Sequence, residues 1–325
     1  MLMHNRSFAC GFQQMFAENQ LSLGVFFPIE AYKGSIPTMQ DQVKLAQRVE
    51  KLGFAALWVR DVPLYDPSFG DVGQIYDPWV YLGYIAAHTQ RISLATGSMI
   101  FSLRHPLHLA KAAASVDQLS GGRLVMGIAS GDRPVEFPAF GIEFESRDER
   151  FRQSLFDFRQ VLSSEFGVIR SSLTQLEGAD VLPKPVEQRI PLLVTGHSRQ
   201  SLDWIATHAD GWLYYPRHPQ MQAQIIEDWR SLVQEVTPGV FKPYAQSLYL
   251  DLVEDPNTPA TPIHLGYRLG RHSLMNLLLH LQEIGVNHVG LNLKYGSRPA
   301  AEVLEELGSE ILPCFQSQRS ACHSV

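Results

Sequence analysis

The chain has 325 residues, of which 45% are hydrophobic and 18% charged, and its formal net charge is -6 at pH 7. This composition is typical of a globular protein with a sizeable core, and the lack of a basic excess argues against nucleic acid as a partner. Three cysteines without CxxC spacing argue against a disulfide framework and predict a reducing, cytoplasmic setting.

The first 20 residues contain one arginine and no apolar run typical of a signal peptide or a membrane anchor. We therefore predict a short N-terminal arm over residues 1–20, a single domain over residues 21–325, and no membrane partner.

Apolar, β-rich runs alternate with helical patterns from Leu21 to the C-terminus. Strands are predicted at 21–27, 54–60, 91–100, 123–130, 191–195, 211–216, 244–253 and 286–293, and helices at 39–53, 77–89, 105–120, 147–163, 199–209, 220–236, 268–285 and 300–315. Eight strand–helix pairs favour an α/β fold of the (β/α)8 TIM-barrel type. A doubly wound open sheet is the alternative that this pattern leaves open.

The segment 164–190 is rich in Ser, Gly and Pro and interrupts the alternation. We interpret it as an excursion between strands 4 and 5, with a hairpin as one form that it could take.

Active sites of such barrels lie where the strands end and the following loops begin. Strand 2 is followed by Arg60 and Asp61, which fit either a site or a local ion pair. Strand 3 carries Thr96, Gly97 and Ser98, small residues that allow a ligand to approach the backbone or allow a bulge.

Two further strand ends carry candidate residues. Strand 4 is followed by Asp132 and Arg133, which could orient a substrate or carry a proton, or could form a simple salt bridge. Strand 5 ends at Thr195, and the turn Gly196–His197–Ser198 leads into a predicted helix beginning near Arg199. The free N–H groups of that helix, with the hydroxyls of Ser198 and Ser201, could bind a phosphate, or Ser198 could be only a helix cap.

His105 and His108 show HxxH spacing but have no third ligand nearby, so no metal site is predicted. Walker A, G-x-G-x-x-G, HExxH and G-x-S-x-G motifs are missing from the sequence, so the common nucleotide, zinc and serine-hydrolase signatures are not present.

The segment "RISLATGSMIFSLRHPLHLAKAAASVDQLSGGRLVMGIASGD" (91–132) closely resembles the third and fourth strand region of the bacterial-luciferase-like flavin monooxygenases. "FPAFGIEFESRDERFRQSL" (137–155) and "HADGWLYYP" (208–216) resemble later segments of that family. The resemblance implies a TIM-barrel enzyme that uses reduced FMN or, in one branch, the deazaflavin F420.

The resemblance also implies site residues. It places a non-proline cis peptide at Gly97–Ser98 under the flavin and the cofactor phosphate at Gly196, His197, Ser198 and Ser201. The same mapping puts Ser130 and Gly131 close to the flavin and Phe27 near its ring or the substrate.

Two positions depart from the luciferases themselves. Arg60, Asp61 and Val62 stand where the luciferases carry a His pair, and Ser130 replaces an Arg that helps to bind phosphate there. Light emission and a His base are therefore not expected, and Arg199, Arg133 or helix amides must meet the phosphate charge.

The sequence thus predicts a flavin-dependent monooxygenase that uses FMNH2, made by a separate reductase, and O2 on a small organic substrate. Asp61 or Asp132 is the predicted proton-transfer group, and Arg60 or Arg133 the group that holds an anionic substrate or peroxide. The alternatives are an F420-dependent hydride-transfer enzyme and a flavin-binding protein without turnover. A homodimer is expected from the resemblance.

Overall fold

A closed barrel of eight parallel strands forms the centre of the protein, as a computed structural model that describes residues 10–69 and 75–315 shows. The barrel strands are β1 (Ser22–Phe26), β2 (Ala56–Val59), β3 (Ser93–Ile100), β4 (Leu124–Ala129), β7 (Leu192–Thr195), β8 (Gly211–Tyr214), β9 (Tyr244–Leu252) and β12 (His288–Asn292). Each strand pairs in parallel with the next, and β12 pairs with β1. The predicted TIM barrel is confirmed, and the open doubly wound sheet is wrong because the ring closes.

Helices follow the barrel strands and cover the outside of the ring. They are α2 (Gln42–Leu52), α3 (Pro78–His88), α4 (Pro106–Ser120), α6 (Arg147–Ser163), α7 (Leu202–His208), α8 (Pro219–Val236), α9 (Arg271–Glu283) and α10 (Ala300–Glu306). The start of α3 shows how local sequence sets a boundary. Asp77 accepts hydrogen bonds from the N–H groups of Trp79 and Val80 at 2.9 and 3.1 Å, and Pro78 occupies the first helical position.

Two apolar layers stabilise the fold. The larger layer lies between the strands and the outer helices, and the smaller one fills the inside of the barrel with Phe26, Trp58, Val125 and Leu213 among others. A short helix α1 (Cys10–Met15), within the predicted arm, buries Phe12 and Met15 in that inner layer. The strands start at this end, so the opposite end, where they finish, is the one available to a ligand.

Three predicted helices begin three residues later than the sequence suggested. The helices predicted from 39, 199 and 268 begin at Gln42, Leu202 and Arg271. The last shift has a clear cause: residues Gly266–Leu269 form β11, which pairs with β9 and with β10 (Thr261–Ile263).

The predicted excursion over 164–190 contains a small antiparallel hairpin of β5 (Ile169–Arg170) and β6 (Gln175–Leu176), and a short helix α5 (Glu136–Ala139) lies between β4 and α6. Across residues 10–69 and 75–315, the helices are all too short or too polar to cross a bilayer.

Candidate active site

A cavity of about 830 Å³ opens at the C-terminal mouth of the barrel. Its size lies within the range of small-molecule and cofactor sites. Phe26, at the end of β1, contributes an aromatic wall and stacks on Trp58 with a centroid distance of 5.5 Å. The cavity therefore joins an apolar base to the charged loops at the rim.

The end of β3 has the most unusual backbone of the cavity. The Gly97–Ser98 peptide bond is cis, as the resemblance implied, and the register with β4 shifts between Thr96 and Met99. A Cβ atom on Gly97 would lie 2.9 Å from Phe26 Cε1, which leaves no room for a side chain. The next side chain, Ser98 Oγ, is hydrogen-bonded to Thr195 Oγ1 at the end of β7.

Most of the residues predicted to bind cofactor line this cavity. They are Gly97, Ser98, Ser130, Gly131, Thr195, Gly196, His197 and Ser198. Three others, Phe27, Thr96 and Ser201, lie outside the cavity lining.

Phe27 and Thr96, which were predicted to lie near the flavin, face away from the cavity. Phe27 is fully buried in the outer apolar layer, with its ring 5.0 Å from that of Tyr81. Successive side chains of a strand face opposite sides, so its neighbour Phe26 reaches the cavity instead. Thr96 is also fully buried, and its hydroxyl donates to the carbonyl oxygen of Gly127 at 2.7 Å.

Ser201, which was predicted to bind the cofactor phosphate, also lies outside the cavity lining, at the start of α7. Ser201 is the N-cap of α7, because its Oγ accepts from the N–H of Trp204 at 3.3 Å. The helix therefore begins past the turn, and one of its first amides, that of Trp204, is used by its own cap.

The turn between β7 and α7 has an uncommon backbone. The N–H of Gln200 donates to the carbonyl of His197 at 2.8 Å, and both residues between them, Ser198 and Arg199, have positive φ of 45° and 59°. Positive φ at a residue other than glycine costs about 1–3 kcal/mol and is frequent where a ligand is held. Ser198 Oγ donates to the carbonyl of Thr195 at 2.8 Å, which fixes the turn to the strand.

Two arginines flank this turn, and one of them was not predicted. Arg147, the first residue of α6, is 8% exposed, and its guanidinium carbon lies 3.4 Å from the centroid of the Phe144 ring. Arg147 and Arg199 both lie within 4 Å of the same oxygen of Glu145, at 3.6 and 3.9 Å. Both arginines line the cavity, so this end of it carries two neighbouring positive charges.

Asp61 lies at the opposite side of the mouth and is bound by an arginine. Its carboxylate is fully buried and accepts from Arg104 Nε at 3.0 Å, from Arg104 Nη2 at 2.8 Å and from the N–H of Ile100 at 3.1 Å. Every one of these groups donates to the ionised form. The geometry therefore favours a role for Asp61 in holding the end of β3 rather than in moving a proton.

The other predicted catalytic residues lie at the rim. Arg60 lines the cavity and is half-buried, whereas Asp132 is exposed. Arg133 is buried beneath the loop after β2: its guanidinium lies 4.8 Å from the centre of the Phe69 ring, and its Nη1 is 3.5 Å from the Leu64 carbonyl oxygen. Asp71, in the same loop, lies outside the described residues.

Glu136, the first residue of α5, was not predicted and also lines the cavity. It is 2% exposed, and its Oε1 has no hydrogen-bond partner among the described residues. Burial raises the pKa of this carboxyl group to about 7, while Arg133 acts in the opposite direction. No local feature of the sequence indicates that Glu136 is buried, because its burial arises from the folding of the loop over the cavity.

Within the described ranges, no three His, Cys, Asp or Glu side chains are grouped as metal ligands. His105 caps α4, because its ring nitrogen accepts from the N–H of Leu107 at 3.2 Å.

Comparison with known proteins gives a family with the same architecture. The profile of the luciferase-like monooxygenases matches residues 21–246. An uncharacterized protein of Mycobacterium tuberculosis is 34% identical over 213 residues, which cover 60% of this chain and 76% of that protein. The F420-dependent glucose-6-phosphate dehydrogenase of Amycolatopsis mediterranei is 27% identical over 180 residues, 54% of this chain and 53% of that enzyme.

Among solved structures, the monooxygenase RslO1 of Streptomyces bottropensis has the same fold. It superposes with a TM-score of 0.76 at 19% identity, over 90% of this chain and 99% of that one. The family includes oxidoreductases that use flavin and oxidoreductases that use F420. With the family profile matched over most of the barrel, the chain belongs to the luciferase-like monooxygenases.

Proposed function

We propose that this protein is an FMN-dependent monooxygenase that takes reduced FMN from a separate flavin reductase and uses O2 to oxygenate a small organic substrate. The observation that carries the proposal is a strained turn with neighbouring arginines in the lining of the mouth cavity. The turn at Ser198 and Arg199 lies beside Arg147, and the buried pair of Arg133 and Glu136 lines the same cavity.

The residues present fit a phosphate-bearing flavin. Four arginines line the cavity (Arg60, Arg133, Arg147 and Arg199), against the three carboxylates Asp61, Asp132 and Glu136. Asp61 pairs with Arg104, and Arg147 and Arg199 share the exposed Glu145, but both of these partners lie outside the lining, which itself carries one more positive than negative side chain. Arginine is well suited to bind a dianionic phosphate.

Each part of the cavity has a separate task. Arg147, Arg199 and Ser198 would hold the phosphate, and the flat base formed by Phe26 and by the cis peptide at Gly97–Ser98 would support the ring system. Bound reduced flavin would supply the electrons that activate O2. The loops after β2 and β4 would orient the substrate and keep water out of the cavity.

A second candidate function is F420-dependent hydride transfer without O2. It is favoured by the likeness to the F420-dependent glucose-6-phosphate dehydrogenase. The charge at the Ser198–Arg199 turn suits both cofactors, because both carry a phosphate.

An anaerobic titration with reduced FMN and with reduced F420, followed by admission of air, separates the candidates. The monooxygenase proposal expects tighter binding of reduced FMN and O2 consumption that a substrate couples to an oxygenated product. Preference for F420, with turnover in the absence of O2, would replace the proposal with hydride transfer. Binding of neither cofactor would overturn both.

A further inference from the structure

Glu136 is a buried carboxyl group in the wall of the cavity that accepts a hydrogen bond from the backbone of Leu64 but has one oxygen, Oε1, without such a bond in the described part of the chain. It is 2% exposed, and its Oε1 lies 3.8 Å from Arg133 Nη1, which is longer than a hydrogen bond. Among the described residues, Oε1 has no hydrogen-bond partner. A buried carboxyl oxygen without a partner is costly unless the group is protonated or a ligand completes it.

The other two carboxylates of the cavity are in different situations. Asp61 accepts two hydrogen bonds from Arg104 and one from a backbone N–H, so both of its oxygens have partners. Asp132 is exposed at the rim, where water stabilises its charge. Of the described carboxylates in the lining, Glu136 alone combines burial, an open oxygen and access to the cavity.

We propose that Glu136 is the proton-transfer residue of this cavity, giving its carboxyl proton to an oxygen atom of O2 as reduced FMN reduces it, and taking a proton back in each cycle. The O–H bond of the Glu136 acid breaks, an O–H bond forms on that oxygen atom, and the resulting carboxylate is stabilised by the nearby Arg133. Water at the open mouth returns the proton. The assignment deepens the proposed function and rests on it.

The charges around Glu136 suit this exchange. Burial and the negative charges of Asp61 and Asp132 raise its pKa, and Arg133 lowers it. The net result is a pKa of about 7. Near neutral pH both the acid and the carboxylate are therefore populated, which is the condition for efficient proton transfer.

The first test is an infrared pH titration of the ligand-free protein, which does not depend on any cofactor. We expect the C=O band of a protonated carboxyl group to disappear as the pH rises through about 7 in the wild type. The part of the band that titrates near pH 7 should be missing from Glu136→Gln, in which the buried Asp117, with its pKa raised to about 6, still titrates. That part should persist in Glu143→Gln, a matched change at an exposed glutamate. If the wild type and Glu136→Gln gave the same infrared titration, the assignment would be overturned.

The second test uses reduced FMN and O2 as the probe. Its anionic form, FMNH⁻, consumes one proton when O2 is reduced to H2O2. We expect Glu136→Gln to slow peroxide formation about a hundredfold at pH 6, at the low end of general acid catalysis, and to flatten the pH profile. Glu136→Asp, which keeps the carboxyl group, should restore part of the pH dependence, and Glu143→Gln should match the wild type.

Two results would separate failure of this assignment from failure of the proposed function. A Glu136→Gln variant with the wild-type rate and pH profile would overturn proton transfer by Glu136 while the proposed function stands. A protein that shows the infrared titration but binds neither reduced FMN nor reduced F420 would overturn the proposed function, with the proton held by Glu136 still demonstrated.

Discussion

Arg147 and Arg199 share one carboxylate oxygen, Glu145 Oε2, at 3.6 and 3.9 Å. Glu145 is 72% exposed, so it is a weak partner for two guanidinium groups. The two arginines can exchange Glu145 for a phosphate that enters the cavity, because replacing a solvated carboxylate costs little free energy. Under the proposed function, Arg147 and Arg199 would take the role of the phosphate-binding arginine of the luciferases, whose place Ser130 occupies here.

Arg199→Gln should weaken FMN binding about tenfold, or about 1.4 kcal/mol, since it removes a partly exposed charge from the phosphate end. Riboflavin, which lacks the phosphate, should bind the variant as it binds the wild type. Fluorescence titrations with both flavins measure the difference. Arg170→Gln, in the distant β5–β6 hairpin, is the control. Equal losses for FMN and riboflavin would place Arg199 against the ring rather than the phosphate.

Asp61→Asn should lower the free energy of unfolding by about 3 kcal/mol, because it removes the buried charged partner of Arg104 and leaves only the more distant Asp77, at 3.5 Å. Urea unfolding monitored by tryptophan fluorescence measures this loss. The exposed Asp132→Asn should change stability by less than about 0.5 kcal/mol. If Asp61→Asn keeps wild-type stability and loses only a limb of the pH–rate profile, Asp61 is a proton-transfer group, as the sequence suggested.

The barrel could be predicted from the sequence because its signals are local. The helix predicted over 147–163 has the same bounds in the structure, and Asp77 and Pro78 start α3 as their chemistry requires. Arg123, part of the motif that carries the family resemblance, donates hydrogen bonds to backbone carbonyls of Ala86, Thr89, Ile92 and Ser120. This part of the resemblance therefore reflects the packing of strands and helices.

The cavity could be predicted only in outline. Strand ends gave most of the lining, but the choice of Phe27 over Phe26 failed because every residue of β1 is buried, so no polar alternation shows which side faces inward. Arg147 and Glu136 come from segments beyond the strand ends, and the partner of Asp61 is 43 residues away. Such contacts depend on how loops fold over the barrel, which periodicity does not encode.

Ser201→Ala should lower the free energy of unfolding by about 1 kcal/mol, because α7 loses its N-cap. The affinity for FMN should stay within a factor of two of the wild type, since Ser201 lies outside the cavity lining. Thermal unfolding and flavin titration of the same preparation give both values. A large loss of FMN affinity, absent for riboflavin, would return Ser201 to the phosphate site.

The stability of the protein should depend on pH through Glu136. Its pKa is raised from 4.5 to about 7 in the folded state, so between these values the folded protein binds a proton that the unfolded chain has released. The free energy of unfolding must then fall as the pH rises from about 4.5 to 7. Against Glu136→Gln, which cannot titrate, the wild type should lose about 2 kcal/mol over this window.

The comparison with Glu136→Gln isolates the contribution of Glu136 from those of other groups that titrate in the same pH range. Burial also raises the pKa of Asp117 to about 6, with the same sign of effect, but this contribution is common to both proteins and cancels in the difference. Urea unfolding of the ligand-free proteins at pH 5, 6, 7 and 8 gives the difference curve directly. Parallel curves for the two proteins would mean that Glu136 is ionised throughout, and the proton assigned to it would have to reside elsewhere in the cavity.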